Sequence, residues 1–153
     1  MLFKQLISLS LLLLFFSTSQ AQLHKRMKRF IGTWQYEGII GFEVWNANDN
    51  FIEGKSYRVI NGKDTVLIEN MRIILENNKL VLYVQVLNQN GGKEIRFDES
   101  KKKKYKFVNE THDFPKSIYY QFKWLKRKKV EVLLNHPHKE THTKPLMLVR
   151  LKV

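Results

Sequence analysis

The sequence predicts an all-β domain, an antiparallel up-and-down sheet of about nine strands preceded by a short N-terminal helix. Three observations carry this. Apolar residues alternate with period two through most of the chain, turn-forming clusters interrupt the alternation at regular spacing, and nothing between them is long or helical. With 43% hydrophobic and 12% aromatic residues, the 153-residue chain can bury one real core, so wholesale disorder is not expected despite a formal net charge of +13.

The elements follow in order. Lys4, an apolar run over 6–16 and the small residues Ser19 and Ala21 read as a cleavable signal peptide, 1–21, leaving a domain over 22–153. The run is about 11 residues, well short of the roughly 20 that span a bilayer. Export to the periplasm or the extracellular space is therefore expected, with no stable transmembrane segment after cleavage. Leu23, Met27 and Phe30 lie at helical spacing among His24, Lys25, Arg26, Lys28 and Arg29, which predicts a short basic helix over 23–30.

After Gly32 the period becomes two. Leu80, Leu82, Val84 and Val86 share one strand face, as do Ile118, Tyr120, Phe122 and Trp124, and Met147, Val149, Leu151 and Val153. Turn clusters fall at 46–50, 61–64, 76–79, 88–93, 100–104, 111–115, 126–129 and 136–144. Such spacing suits an up-and-down barrel or a sandwich. In a meander successive turns alternate between the two ends of the sheet. One end then gathers Lys101, Lys102, Lys103, Lys104, Lys126, Arg127, Lys128 and Lys129. The other gathers His112, His136, His138 and His142.

The run Phe107-Val108-Asn109-Glu110-Thr111-His112-Asp113-Phe114-Pro115-Lys116-Ser117-Ile118-Tyr119-Tyr120 follows the pattern F-x-N-x-x-H-D-F-P-x-x-I-x-Y. Together with Gly32-Thr33-Trp34, Glu43-Val44-Trp45, Gly54-Lys55-Ser56 and Glu69, in that order, it resembles a family of exported bacterial lipocalin-like (calycin) domains of unknown function. The resemblance covers 30–135. It implies a calycin-like barrel and brings no established activity. Val108 stands where the family usually has an acidic residue, and the His-rich stretch after Asn135 lacks the family's glycine-rich ending.

A barrel of this kind can enclose a cavity, so polar residues on apolar faces are the informative ones. Glu69 shares strand parity with Thr65, Leu67, Met71, Ile73 and Leu75, and Glu43 with Ile39, Gly41 and Trp45. Unpaired burial would raise either carboxyl's pKa, whereas Arg58 or Arg72 nearby would lower it. In a ligand-binding reading, Glu43 and Glu69 orient a molecule beside Trp34, Trp45, Tyr83 and Tyr120, with Gly54 and Ser56 leaving space. Arg58 and His112 complete that candidate set. In the competing reading the carboxylates satisfy backbone or Arg donors at a barrel end.

His112 and Asp113 either build a strand connection or act as an acid–base pair, although neighbours in an extended segment point to opposite sides. His136, His138, His142 and Glu140 are either a solvated loop or ligands for zinc, copper or nickel. The lysine-rich end is either a solvated hairpin end or a contact for an anionic envelope surface. Export and the shortage of interleaved aromatics argue against nucleic acid. The absence of Cys excludes disulfides, thiolate metal sites, a Cys nucleophile and a lipoprotein anchor. No cofactor is named by these residues. The leading expectation is a non-enzymatic binding protein for a small, partly apolar ligand. A basic surface-interaction protein with a packed barrel and an enzyme using acid–base carboxylates are the alternatives.

Overall fold

A computed structural model describes residues 23–123, 128–135 and 144–151 and shows one closed antiparallel barrel. Its strands are β1 (Gly32–Tyr36), β2 (Gly41–Ala47), β3 (Ile52–Ile60), β4 (Asp64–Glu76), β5 (Lys79–Val86), β6 (Ile95–Glu99), β7 (Lys106–Val108), β8 (Ser117–Phe122), β9 (Lys129–Asn135) and β10 (Leu146–Arg150). Each pairs with the next, and β10 returns to β1 through Trp34↔Arg150 and Tyr36↔Leu148. Closure removes the sandwich alternative. The expected signal peptide, the His136, His138, His142 and Glu140 cluster, and Trp124, Lys126, Arg127 and Val153 lie outside the described residues. No helix among the described residues is long and apolar enough to cross a membrane.

There are ten strands rather than nine because the chain turns between β1 and β2, where the sequence carries no obvious turn cluster. Gly38 makes that turn at φ +78°, and Ile39 and Ile40, 44% and 67% exposed, ride on it instead of continuing a buried strand. The up-and-down order still alternates the connections between ends. The 48–51, 77–78 and 100–105 turns share one end with the β8–β9 connection. The 37–40, 61–63, 87–94 and 109–116 connections share the other.

The predicted N-terminal helix does not form. Only a single 3-10 turn, Met27–Arg29, is present, since eight residues are too few to nucleate a helix in water and the segment's apolar side chains have a stronger claim on them. Met27 and Phe30 enter the lysine-rich end of the barrel and are almost wholly buried. The Phe30 ring meets Tyr120, Phe122, Trp45 and Tyr105 with centroids 5.1–5.7 Å apart, mostly edge to face. Trp34 Nε1 donates to the Phe30 carbonyl, and the Arg150 guanidinium lies over the Trp34 ring at 4.4 Å. Buried Glu99 locks the segment from beneath: it pairs with Arg26 and accepts the backbone N–H groups of Leu80 and Tyr105 at 3.3 and 2.8 Å. That end of the barrel is plugged.

Two details of parity depart from the alternation. In β4 the register against β3 shifts between Ser56 and Tyr57, which pair with Glu69 and Leu67, so Ile68 is an extra residue. Glu69 therefore stays with buried Met71 and Ile73 but parts from Leu67 and Thr65, which the sequence placed on its face. In β10 the buried position is Leu148, so Leu146, Leu148 and Arg150 form the inward row and Met147, Val149 and Leu151 the outer one. Leucines and valines occupy both faces there, and period two alone cannot choose between them.

Phe30→Ala should destabilise the protein by about 3–5 kcal/mol, because it removes a buried ring that four other rings pack against. Urea unfolding checks this, and a loss below about 1 kcal/mol would show that the plug is dispensable.

Candidate functional site

Opposite the plug the interior is hollow. A cavity of about 280 Å³ is walled by Met71, Val84, Ile95, Phe97, Ile118 and Val132, with Leu134, Leu146 and Val86 nearer the mouth. Two carboxylates, Glu43 and Glu69, reach it. The registers Glu43↔Ser56 and Ser56↔Glu69 place the three side chains in one row across β2, β3 and β4. Two strand spacings separate the carboxylate-bearing backbones, roughly 10 Å.

Glu43 is held. Its Oε1 accepts the Tyr36 hydroxyl at 2.7 Å and its Oε2 accepts Trp45 Nε1 at 2.9 Å. The indole reaches that oxygen because its ring lies on Gly54, where a Cβ would come within 2.8 Å of the ring atoms, so only glycine fits opposite it. Ser56 Oγ lies 3.3 Å from the Tyr36 hydroxyl. Burial pushes the Glu43 pKa up, and the two donors pull it back only in part. Burial and the adjacent Glu43 also drive the Tyr36 hydroxyl far upward, so it remains a protonated donor. Tyr120, on the cavity wall, is raised for the same two reasons.

Glu69 is not held. Its carboxylate takes no hydrogen bond and no ion pair from any described residue, and burial followed by repulsion from Glu43 raises its pKa to about 7. The sign of the linkage follows directly. From about 4.5 to about 7 the folded protein keeps a proton that the unfolded chain releases, so folding loses stability as pH rises through that window. Above it the penalty is constant.

The mouth is shaped by the 109–116 connection. Asn109 Oδ1 accepts the N–H groups of Thr111 and His112, both at 3.0 Å, while its Nδ2 donates to the Arg96 carbonyl at 2.9 Å. This turn sets His112 at the cavity with Phe114 and Pro115. The Pro115 carbonyl lies 3.1 Å from His112 Nδ1 and can only accept, so Nδ1 carries a proton, and no described residue bonds Nε2. The ring stands edge-on to Phe97. Asp113 is exposed, and no hydrogen bond or ion pair joins it to His112.

Of the residues singled out in the sequence, Glu43, Glu69, His112 and Tyr120 line the cavity, Trp45 donates to Glu43, and Ser56, paired with Glu43 in register, contacts the Tyr36 hydroxyl. Three lie elsewhere. Trp34 is buried at the plugged end. Tyr83 is on the outer face, where Arg96 donates to its hydroxyl at 2.8 Å and Arg72 stacks over its ring. It alternates with inward Leu82 and Val84, a parity that places it outside. Arg58 is exposed on the part of β3 beyond the bulge. Arg72 pairs with Glu94 on the outer surface, so neither arginine neutralises the interior carboxylates. Tyr36, the donor to Glu43, was missed, although it follows Trp34 at the two-residue spacing of an inward row. Glu99 was missed too, since nothing local marks it as the anchor of a plug. Lys101, Lys102, Lys103 and Lys104 are exposed at the plugged end. Among the described residues no three His, Asp or Glu converge as a metal site.

Comparisons with protein-family models, curated proteins and solved structures found no match.

Tyr36→Phe removes one of Glu43's two donors and should cost about 1–3 kcal/mol, with Arg58→Ala, on the exposed lip, near zero. The loss should grow with pH across the Glu43 titration, since the lost donor favours the ionised form. Urea unfolding at several pH values reads both. Equal stabilities for the two variants would mean that Tyr36 does not carry Glu43.

Proposed function

We propose that this chain is an exported, non-enzymatic binding protein that holds a small, partly apolar molecule in the open half of a calycin-like barrel. One observation carries the reading: the cavity is largely apolar but contains a carboxylate, Glu69, that no described side chain or backbone group satisfies. Such a group is costly to bury and is retained where something else completes it. The volume is at the small end for ligand pockets, which suits a compact molecule rather than a long lipid. The signal-peptide pattern and the resemblance to exported lipocalin-like domains support the location and the role. Glu43 fits a positioning part better than acid–base work, because both of its oxygens are already engaged.

The test is mass spectrometry of a solvent extract of the exported protein beside Val86→Trp, which fills the cavity at the strand position paired with Glu69. A compound recovered at near-equal stoichiometry from the wild type and lost from the folded variant is the expected result. Equal recovery from both, or an empty wild-type extract, would count against the pocket.

A further inference from the structure

The chemistry of the cavity narrows its ligand. Among the described residues no Lys or Arg lines it, while two carboxylates do. Glu43 already has Tyr36 and Trp45 as donors, so the unmet demand for positive charge and for N–H or O–H donors falls on Glu69. The opposing wall offers aromatic surface in Phe97 and Tyr120, whose faces attract cations. An anionic ligand would meet two carboxylates with no counter-charge from the described lining, and a wholly apolar one would leave Glu69 desolvated with no partner among those residues.

We propose that the cavity takes a small amphiphilic cation, an amine carrying an apolar body, with its charged nitrogen against Glu69 and its body on the Met71, Val84, Phe97 and Ile118 wall. This rests on the reading of the cavity as a ligand site. Binding is then linked to protons. Among the described residues the groups facing Glu69 are Glu43 from β2, Tyr36 from β1, Ser56 from β3, Tyr120 from β8 and His112 from the 109–116 connection, and none of the side chains on β1 to β4 or β8 in that set is basic. A cation selects the ionised carboxylate, so the amine binds more tightly as pH rises and expels the proton that Glu69 otherwise keeps. The two tyrosines stay protonated across this range, so Glu69 is the group whose proton the amine displaces.

The experiment is calorimetric titration of the exported protein with n-heptylamine, 1-heptanol and sodium heptanoate at pH 8, repeated down to pH 5. The amine should bind at least about tenfold more tightly than the alcohol, and heptanoate more weakly than either. Glu69→Gln should bring the amine to the alcohol's affinity and leave the alcohol unchanged. In the wild type, amine affinity should fall by up to about tenfold per pH unit on the acid side of the Glu69 titration, a slope that Glu69→Gln abolishes. An amine no better than the alcohol, or an advantage untouched by Glu69→Gln, overturns the cation while alcohol binding leaves the pocket standing. Silence from all three compounds also overturns it, and the pocket is then judged separately by the extracted compound and its loss in Val86→Trp.

Discussion

A ten-stranded closed barrel encloses more space than its own inward side chains fill, because barrel diameter grows with strand number. The rest of the molecule follows from how that excess is handled. At one end the chain fills it with its own leading segment, driving Phe30 and Met27 in among Trp45, Tyr105, Tyr120 and Phe122. Glu99 and Arg26 hold the segment in place. At the other end no comparable plug is supplied by the described residues, and the surplus volume persists as the cavity.

The interior polar groups sort along the same axis. Tyr36, Glu43, Trp45 and Ser56 form a satisfied cluster midway, and the flat approach of Trp45 to Gly54 aims the indole at Glu43. Glu69 is one strand further round on the same cross-strand row and has no such support from the described residues. Two like charges close together in a low-dielectric interior resist joint ionisation, so the supported carboxylate raises the pKa of the unsupported one. The bulge at Ile68 matters here because it turns Leu67 away while leaving Glu69 inward. A regular strand would have put an apolar side chain above Glu69 on the same face.

Much of this was legible in the sequence, and the gaps have physical causes. Period-two alternation identified β5 and β8 and their inward faces, since one face of each is plainly the more apolar. It failed on β10, where both faces are apolar and only pairing with β1 selects Leu148. The turn at 37–40 has one glycine and two isoleucines in place of a polar cluster, so the tenth strand was hidden. The helical spacing of Leu23, Met27 and Phe30 was real but marked a tertiary plug rather than a helix, because burial of Met27 and Phe30 outweighs local propensity. Glu43 and Glu69 stood out because they are carboxylates on apolar rows. Their different states, one held and one without a partner among the described residues, depend on Tyr36 and on a bulge that no local pattern announces.

The account turns on Glu69 being a largely desolvated carboxyl that faces the cavity without a counter-ion among the described residues. Its titration can be followed directly by carbon-13 NMR of the side-chain carboxyl in the wild-type protein, assigned by the loss of that resonance in Glu69→Gln. A midpoint near 7 is expected from burial and the neighbouring Glu43. A midpoint near the ordinary 4.5 would mean that water or a cation already satisfies the group, and the interior described above would be wrong at its central point.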